Sequence, residues 1–105
     1  MIFSLQNRIY AKATDGSFVV RGELSFTTVP PLLANSGALF EADEAMITLD
    51  LQEVERADSA GLSLLIQWWR QARAIDKQIQ YINLPGQMRA MAELSGLTDL
   101  LPIKS

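Results

Sequence analysis

A chain of 105 residues has the length of one ordinary domain, read here as a single domain over 1–105. About half of it is hydrophobic (49%) and a fifth charged (20%), a globular rather than disordered composition. It contains no cysteine and no histidine, which removes disulfides, thiolate sites and any Ser-His-Asp relay, and fits a reducing compartment. Nine basic and twelve acidic residues give a net charge of −3, and the arginines form no stripe, which argues against a nucleic-acid partner.

No segment approaches the roughly 20 apolar residues of a membrane span. The first eight residues place no basic region ahead of a long apolar stretch, so no signal peptide is expected, and the expected location is the cytoplasm. Residues 8–13 read as a short strand, Asp15-Gly16 as a two-residue turn, and residues 18–22 as the hairpin partner. Thr27 is a plausible cap for a first helix, with Pro30 and Pro31 suited to its first turn. That helix is expected to run to about Phe40, with Leu32, Leu33, Leu39 and Phe40 on its core side and Gly37 weakening its second half.

Residues 45–51 are almost continuously apolar, as a central strand buried on both faces would be. Asp58 opens a second helix reaching about Ile75, and residues 79–84 form the next strand, broken by Pro85-Gly86. A third helix covers residues 87–94, with Gly96 placed as a left-handed C-cap, and residues 97–103 make an apolar tail that can dock on the core. The order is β-β-α-β-α-β-α. Strands separated by helices imply parallel crossovers, and the initial hairpin adds an antiparallel edge.

The second helix carries the functional argument. At about 100° per residue, Leu64, Leu65, Trp68, Ala72 and Ile75 share the side expected to face the sheet, with Leu62, Ile66 and Trp69 on the adjoining flank. The resulting apolar arc of roughly 200° is wider than the usual stripe of a surface helix. Either the excess packs under a neighbouring helix or loop, or Leu62, Ile66 and Trp69 form a partly exposed patch rimmed by Ser59, Ser63, Arg70 and Arg73, a composition typical of interaction surfaces. At the helix start, Asp58 or Ser59 can cap a free amide, and the small residues Ala60 and Gly61 permit close backbone approach. A hydroxyl there also suits phosphate, which would change any partner contact by charge and bulk.

The acidic residues Asp43, Glu44, Asp50, Glu53, Glu55 and Asp58 invite a carboxylate-pair or metal reading. Without histidine, cysteine or a phosphate-cradling glycine loop they are better explained as solvated charges, so no catalytic residue, metal site or cofactor is expected.

The run from Asp50 to Leu62, which closes on Asp58-Ser59-Ala60-Gly61-Leu62, resembles the signature of STAS domains, which include anti-sigma factor antagonists and the cytoplasmic tails of sulfate transporters. In that family an Asp-Ser/Thr-x-Gly-Leu run begins the helix that binds partners. Residues 22–30, 57–73 and 94–102 are similar to the MlaB branch, the STAS subunit of the ABC transporter that moves phospholipids between the two membranes of Gram-negative bacteria.

The resemblance covers nearly the whole chain. It implies an α/β STAS fold with a mixed, mostly parallel central sheet and helices packed mainly on one face. It further implies a non-catalytic accessory subunit that regulates the transporter's ATPase subunit and meets the membrane only indirectly, through the complex. The expected contact residues are Ser59, Leu62, Ser63, Ile66, Trp69, Arg70 and Arg73, with Asp58 and Gly61 building the helix-start turn. The alternative is an anti-sigma factor antagonist switched by phosphorylation of Ser59.

Overall fold

The computed structural model describes residues 2–5, 8–12, 17–41 and 45–104. The elements in chain order are β1 (Ile2–Leu5), β2 (Arg8–Lys12), β3 (Phe18–Leu24), α1 (Val29–Ala34), α2 (Gly37–Glu41), β4 (Met46–Ala57), α3 (Ser59–Ala74), β5 (Gln78–Ile82) and α4 (Gly86–Leu94). The strands form one sheet in sequential order, β1-β2-β3-β4-β5. β3, β4 and β5 are parallel, and β1 and β2 extend the sheet with antiparallel pairs. Each parallel crossover steps to the next strand in the same direction, so right-handed connections put the crossover helices on one face. There α3 lies against α1, α4 and β5.

Several expectations are corrected. β1 is an additional strand ahead of the expected hairpin; its four residues are too few to show an alternation in sequence. The expected Asp15-Gly16 turn and the residue Ala13 lie outside the described residues. The first helix is not continuous to Phe40. It stops at Ala34, where Asn35 Nδ2 donates to the Pro31 carbonyl (2.8 Å) and Ser36 Oγ to the Leu33 carbonyl (2.7 Å). These local side-chain bonds satisfy carbonyls that a longer helix would have used. Thr28, not Thr27, precedes α1, and its Oγ1 accepts from the Ser25 N–H (2.8 Å) and donates to the Glu23 carbonyl (2.7 Å).

β4 differs most from expectation. It is buried on one face only: Ile47, Leu49 and Leu51 point into the core, Thr48 and Asp50 are half-buried and Met46 is exposed. It also continues to Ala57. Pairing with β3 passes from Val19↔Asp50 to Arg21↔Glu53, then from Gly22↔Val54 to Glu23↔Arg56, so β4 gains one residue at each of two irregularities. The buried positions accordingly change from spacing two to spacing three, at Leu51, Val54 and Ala57. Gly22 takes the positive φ (88°) at the second irregularity, a conformation glycine adopts without Cβ strain.

The core lies between the sheet and α3. Tyr81 of β5 donates its hydroxyl to the Leu65 carbonyl at 2.6 Å, and burial pushes its phenol far above the ordinary range, so it stays a donor. Ile75 does not join the buried side of α3; it follows the helix's last residue and is exposed. After α4, Gly96 (φ 71°) forms the expected left-handed cap, and the Leu97 N–H reaches back to the Ala92 carbonyl at 2.8 Å. The tail then buries Leu101 and pairs Ile103 with Tyr81 at the β5 edge.

Trp68 is fully buried, and its Nε1–H has no hydrogen-bond partner among the described residues. An unsatisfied buried donor costs about 1–3 kcal/mol. In Trp68→Phe, relief of that donor opposes the loss of ring volume, whereas Trp68→Ala should cost about 3–5 kcal/mol from the cavity alone. Urea midpoints should therefore fall far less for Phe than for Ala; equal losses would show that the indole N–H is paired.

Candidate functional site

The site is built where β4 hands over to α3. Asp58 is extended, and its Oδ1 accepts from the Ala60 N–H at 2.8 Å, satisfying one of the free donors of the first turn. The Asp58 N–H donates to the Leu24 carbonyl at 3.0 Å, which ties the start of α3 to the end of β3. The two extra residues in β4 bring Asp58 to this register. Asp58 thus acts as a cap, as its residue type suggests.

Gly61 has a different role from a turn residue. It sits buried in the first helical turn, and a Cβ there would lie 3.3 Å from each of Ala57 Cβ, Leu24 Cβ and the Met88 terminal methyl. Its lack of a side chain lets α3 approach two strand ends and α4 at once. Charge complements the dipole at both ends, through the Asp58 carboxylate at the cap and Arg73 in the last turn, although the first turn itself holds no acidic residue.

The flank residues separate by exposure. Leu62 is only 6% exposed and belongs to the core, so it is not part of a surface patch. Ile66 and Trp69 are half-buried and packed against that core. Ser59, Ser63, Arg70 and Arg73 are exposed. The over-wide apolar arc is therefore largely covered by neighbours, and what faces outward is a ridge of Ser59, Ser63 and Arg70 bordered by Ile66.

Trp69 and Arg73 form a second locus. Arg73 stacks over the Trp69 ring at 4.9 Å from its centroid. Both line a cleft of about 420 Å³ with Met46, the start of β5 and the tail residues Pro102 to Lys104. Fourteen residues of helix place Arg73 about 20 Å along the axis from Ser59. Of the seven candidate residues, Leu62 is thus buried, Ser59, Ser63, Ile66 and Arg70 lie along the ridge, and Trp69 and Arg73 line the cleft.

One surface residue was not expected. Phe26 is 72% exposed, two residues beyond the carbonyl that holds Asp58. An aromatic inside the polar run Ser25-Phe26-Thr27-Thr28, with no apolar partner at helical or strand spacing, is the sequence signal for it. Nearby, Glu23, Ser25, Arg56, Asp58 and Gln87 line a polar hollow of about 190 Å³, below the size of ordinary small-molecule pockets.

The acidic residues are dispersed. Asp50 Oδ1 accepts from the Gln52 N–H (2.9 Å) and from Asn83 Nδ2 (3.1 Å), and Glu53 pairs with Arg21 at 2.7 Å. Among the described residues no group of three or more acidic side chains gathers to hold a metal ion, and Asp43 and Glu44 lie outside them.

With this geometry in hand, the family described as "Mlab, STAS domain" matches residues 11–102. The chain belongs to that STAS family. It is 30% identical over 81 residues to the intermembrane phospholipid transport system binding protein MlaB of Haemophilus influenzae, covering 74% of this chain and 77% of that protein. It is 24% identical over 86 residues to the anti-sigma-B factor antagonist of Listeria monocytogenes, covering 82% of this chain and 75% of that one. The structure of an anti-sigma factor antagonist from Mycobacterium paratuberculosis superposes with a TM-score of 0.70 at 20% identity, over 98% of this chain and 81% of the other, and so shares the STAS fold. No helix among the described residues is long and apolar enough to cross a membrane.

Proposed function

We infer that this STAS domain is a non-catalytic accessory subunit of an ABC transporter for intermembrane phospholipid transport, and that it binds and regulates the ATPase subunit through the outward ridge of α3. The observation that carries the reading is the 30% identity to a protein named as the binding protein of such a system, over three quarters of both chains. The ridge supports it physically. Ser59, Ser63 and Arg70 offer exposed hydrogen-bonding groups on one line, Ile66 gives an apolar border, and Phe26 adds an exposed aromatic beside the helix start. The buried Leu62 supports the ridge from beneath. Action by contact rather than turnover fits a chain without histidine or cysteine whose described carboxylates are capping, paired or apart. The domain would sit in the cytoplasm and reach the inner membrane only through the complex.

The test is co-purification of the tagged chain from its native host. Recovery with an ATPase and a permease subunit in fixed ratio is the expected result; recovery with neither overturns the reading.

The second reading is an anti-sigma factor antagonist. The Listeria relative and the exposed Ser59 hydroxyl at a helix N-terminus favour it. It requires phosphorylation of Ser59, and intact-mass analysis showing no phosphate with candidate kinases co-expressed counts against it.

A further inference from the structure

The free edge of β5 is only partly used by the chain itself. The Gln78 N–H turns towards β4, donating to the Ala45 carbonyl at 2.9 Å. By strand alternation Ile79 and Tyr81 then turn their N–H and C=O groups outward. The tail takes those of Tyr81: its N–H donates to the Pro102 carbonyl (2.9 Å) and its carbonyl accepts from the Lys104 N–H (2.8 Å). This parallel pairing is a single bridge at Ile103, and among the described residues no backbone bond reaches the outward groups of Ile79, which lines the 420 Å³ cleft below it. Ile79 is only 4% exposed, its side chain turned into the core, but an edge strand whose outward donor and acceptor take no backbone partner within the fold is a template for an added strand.

The walls of the cleft say what kind of strand. Trp69 and Ile103 give it an apolar side. Its charged lining residues among those described are Arg73, Lys77 and Lys104, of which Lys77 has interactions of its own, and no described carboxylate lines it, in a chain that carries more acidic than basic residues. Arg73 and Lys104 thus face one hollow of a net-negative protein. Backbone groups at Ile79 recognise an extended polypeptide, and the cationic rim selects acidic side chains on it.

We propose that the cleft between α3, β5 and the tail binds an extended acidic segment of a partner protein, which adds to the β5 edge at Ile79, packs on Trp69 and pairs with Arg73 and Lys104. The cleft lies about 20 Å along the helix from Ser59, at the far end of α3 from the capped start of the ridge, and does not depend on the transporter reading.

The experiment is titration of the ¹⁵N-labelled full chain with a capped seven-residue peptide alternating glutamate and valine, and with its lysine–valine counterpart. The acidic peptide should shift the Ile79 amide and Trp69 indole resonances saturably and slow hydrogen exchange at the Ile79 amide; the basic one should leave them in place. Lys104→Glu combined with Arg73→Glu should weaken binding by about tenfold, the scale of two exposed ion pairs. If that double variant loses spectral dispersion, Lys104→Glu alone is read instead, with a smaller loss expected. Ser59→Asp should leave peptide binding unchanged, so the cleft and the ridge can fail independently. Equal response to both peptides, no saturable shift at millimolar peptide, or shifts mapping to the helix start would each overturn the proposal. Concentration-dependent shifts of the same resonances in the free protein would instead make the occupant a second copy of the chain, and overturn it too.

Discussion

Gly61→Leu is expected to lower stability by several kcal/mol, enough to unfold a domain whose total is about 5–15 kcal/mol. The reason is geometric. The first side-chain atom alone would stand 3.3 Å from Ala57 Cβ, Leu24 Cβ and the Met88 methyl. Two of those neighbours are Cβ atoms at strand ends and cannot turn aside as a Met methyl can. The rest of a leucine would have to displace α3 from β3, breaking the bond between the Asp58 N–H and the Leu24 carbonyl. Gly61→Ala separates the two effects in play. Alanine favours a helix over glycine by about 1 kcal/mol, while overpacking typically costs about 1–3 kcal/mol. The net loss should be small, between about zero and 2 kcal/mol. Urea unfolding of the three proteins is the measurement. A leucine variant with the parent's midpoint would mean that α3 does not approach the strand ends as closely as the geometry has it.

How much of this is legible in the sequence differs from element to element. α3 is the clearest, because its cap, its apolar spacing and its exit coincide: Asp58 caps, Leu64, Leu65, Trp68 and Ala72 recur on one side, and the helix ends at Ala74. Family membership is legible in the same stretch. The length of β4 is not. Its second half reads Gln52-Glu53-Val54-Glu55-Arg56-Ala57, which follows no period of two, because two register shifts re-aim the strand and only pairing with β3 reveals them. The break between α1 and α2 is hidden for a related reason. Asn35 and Ser36 are tolerable inside a helix by propensity, and only their bonds back to Pro31 and Leu33 end it.

The candidate site shows the same limit. Periodicity places Leu62, Ile66 and Trp69 on one flank of α3, and that placement follows from helical geometry alone. It cannot say what covers the flank. Tertiary packing buries Leu62, half-covers Ile66 and Trp69, and leaves the serines and arginines outside. The tail, which in sequence is only a short apolar run, turns Trp69 and Arg73 into the wall of a separate cleft.

Ser59→Asp should separate binding from folding. Ser59 is the first residue of α3, exposed, directly after the Asp58 cap. A carboxylate at that end interacts favourably with the helix dipole, by about 0.3–1 kcal/mol when exposed, partly offset by repulsion from Asp58. The thermal midpoint of the isolated domain should therefore stay within a few degrees of the parent's or rise slightly. On the proposed reading, in which Ser59 meets the ATPase subunit, the same charge in the complex would face a surface that accommodates a hydroxyl. Burying it unpaired costs about 3–5 kcal/mol, a loss of roughly a hundred- to a thousandfold or more in affinity. Ser59→Ala removes only a hydroxyl and should cost about tenfold or less. The readout is binding of each variant to the ATPase subunit by calorimetry, beside the melting curve of each domain alone. Full affinity in a folded Ser59→Asp protein would move the interface off the start of α3. Equal and severe losses in both variants would mean that the hydroxyl itself is bonded by the partner, and that charge is not what the surface rejects.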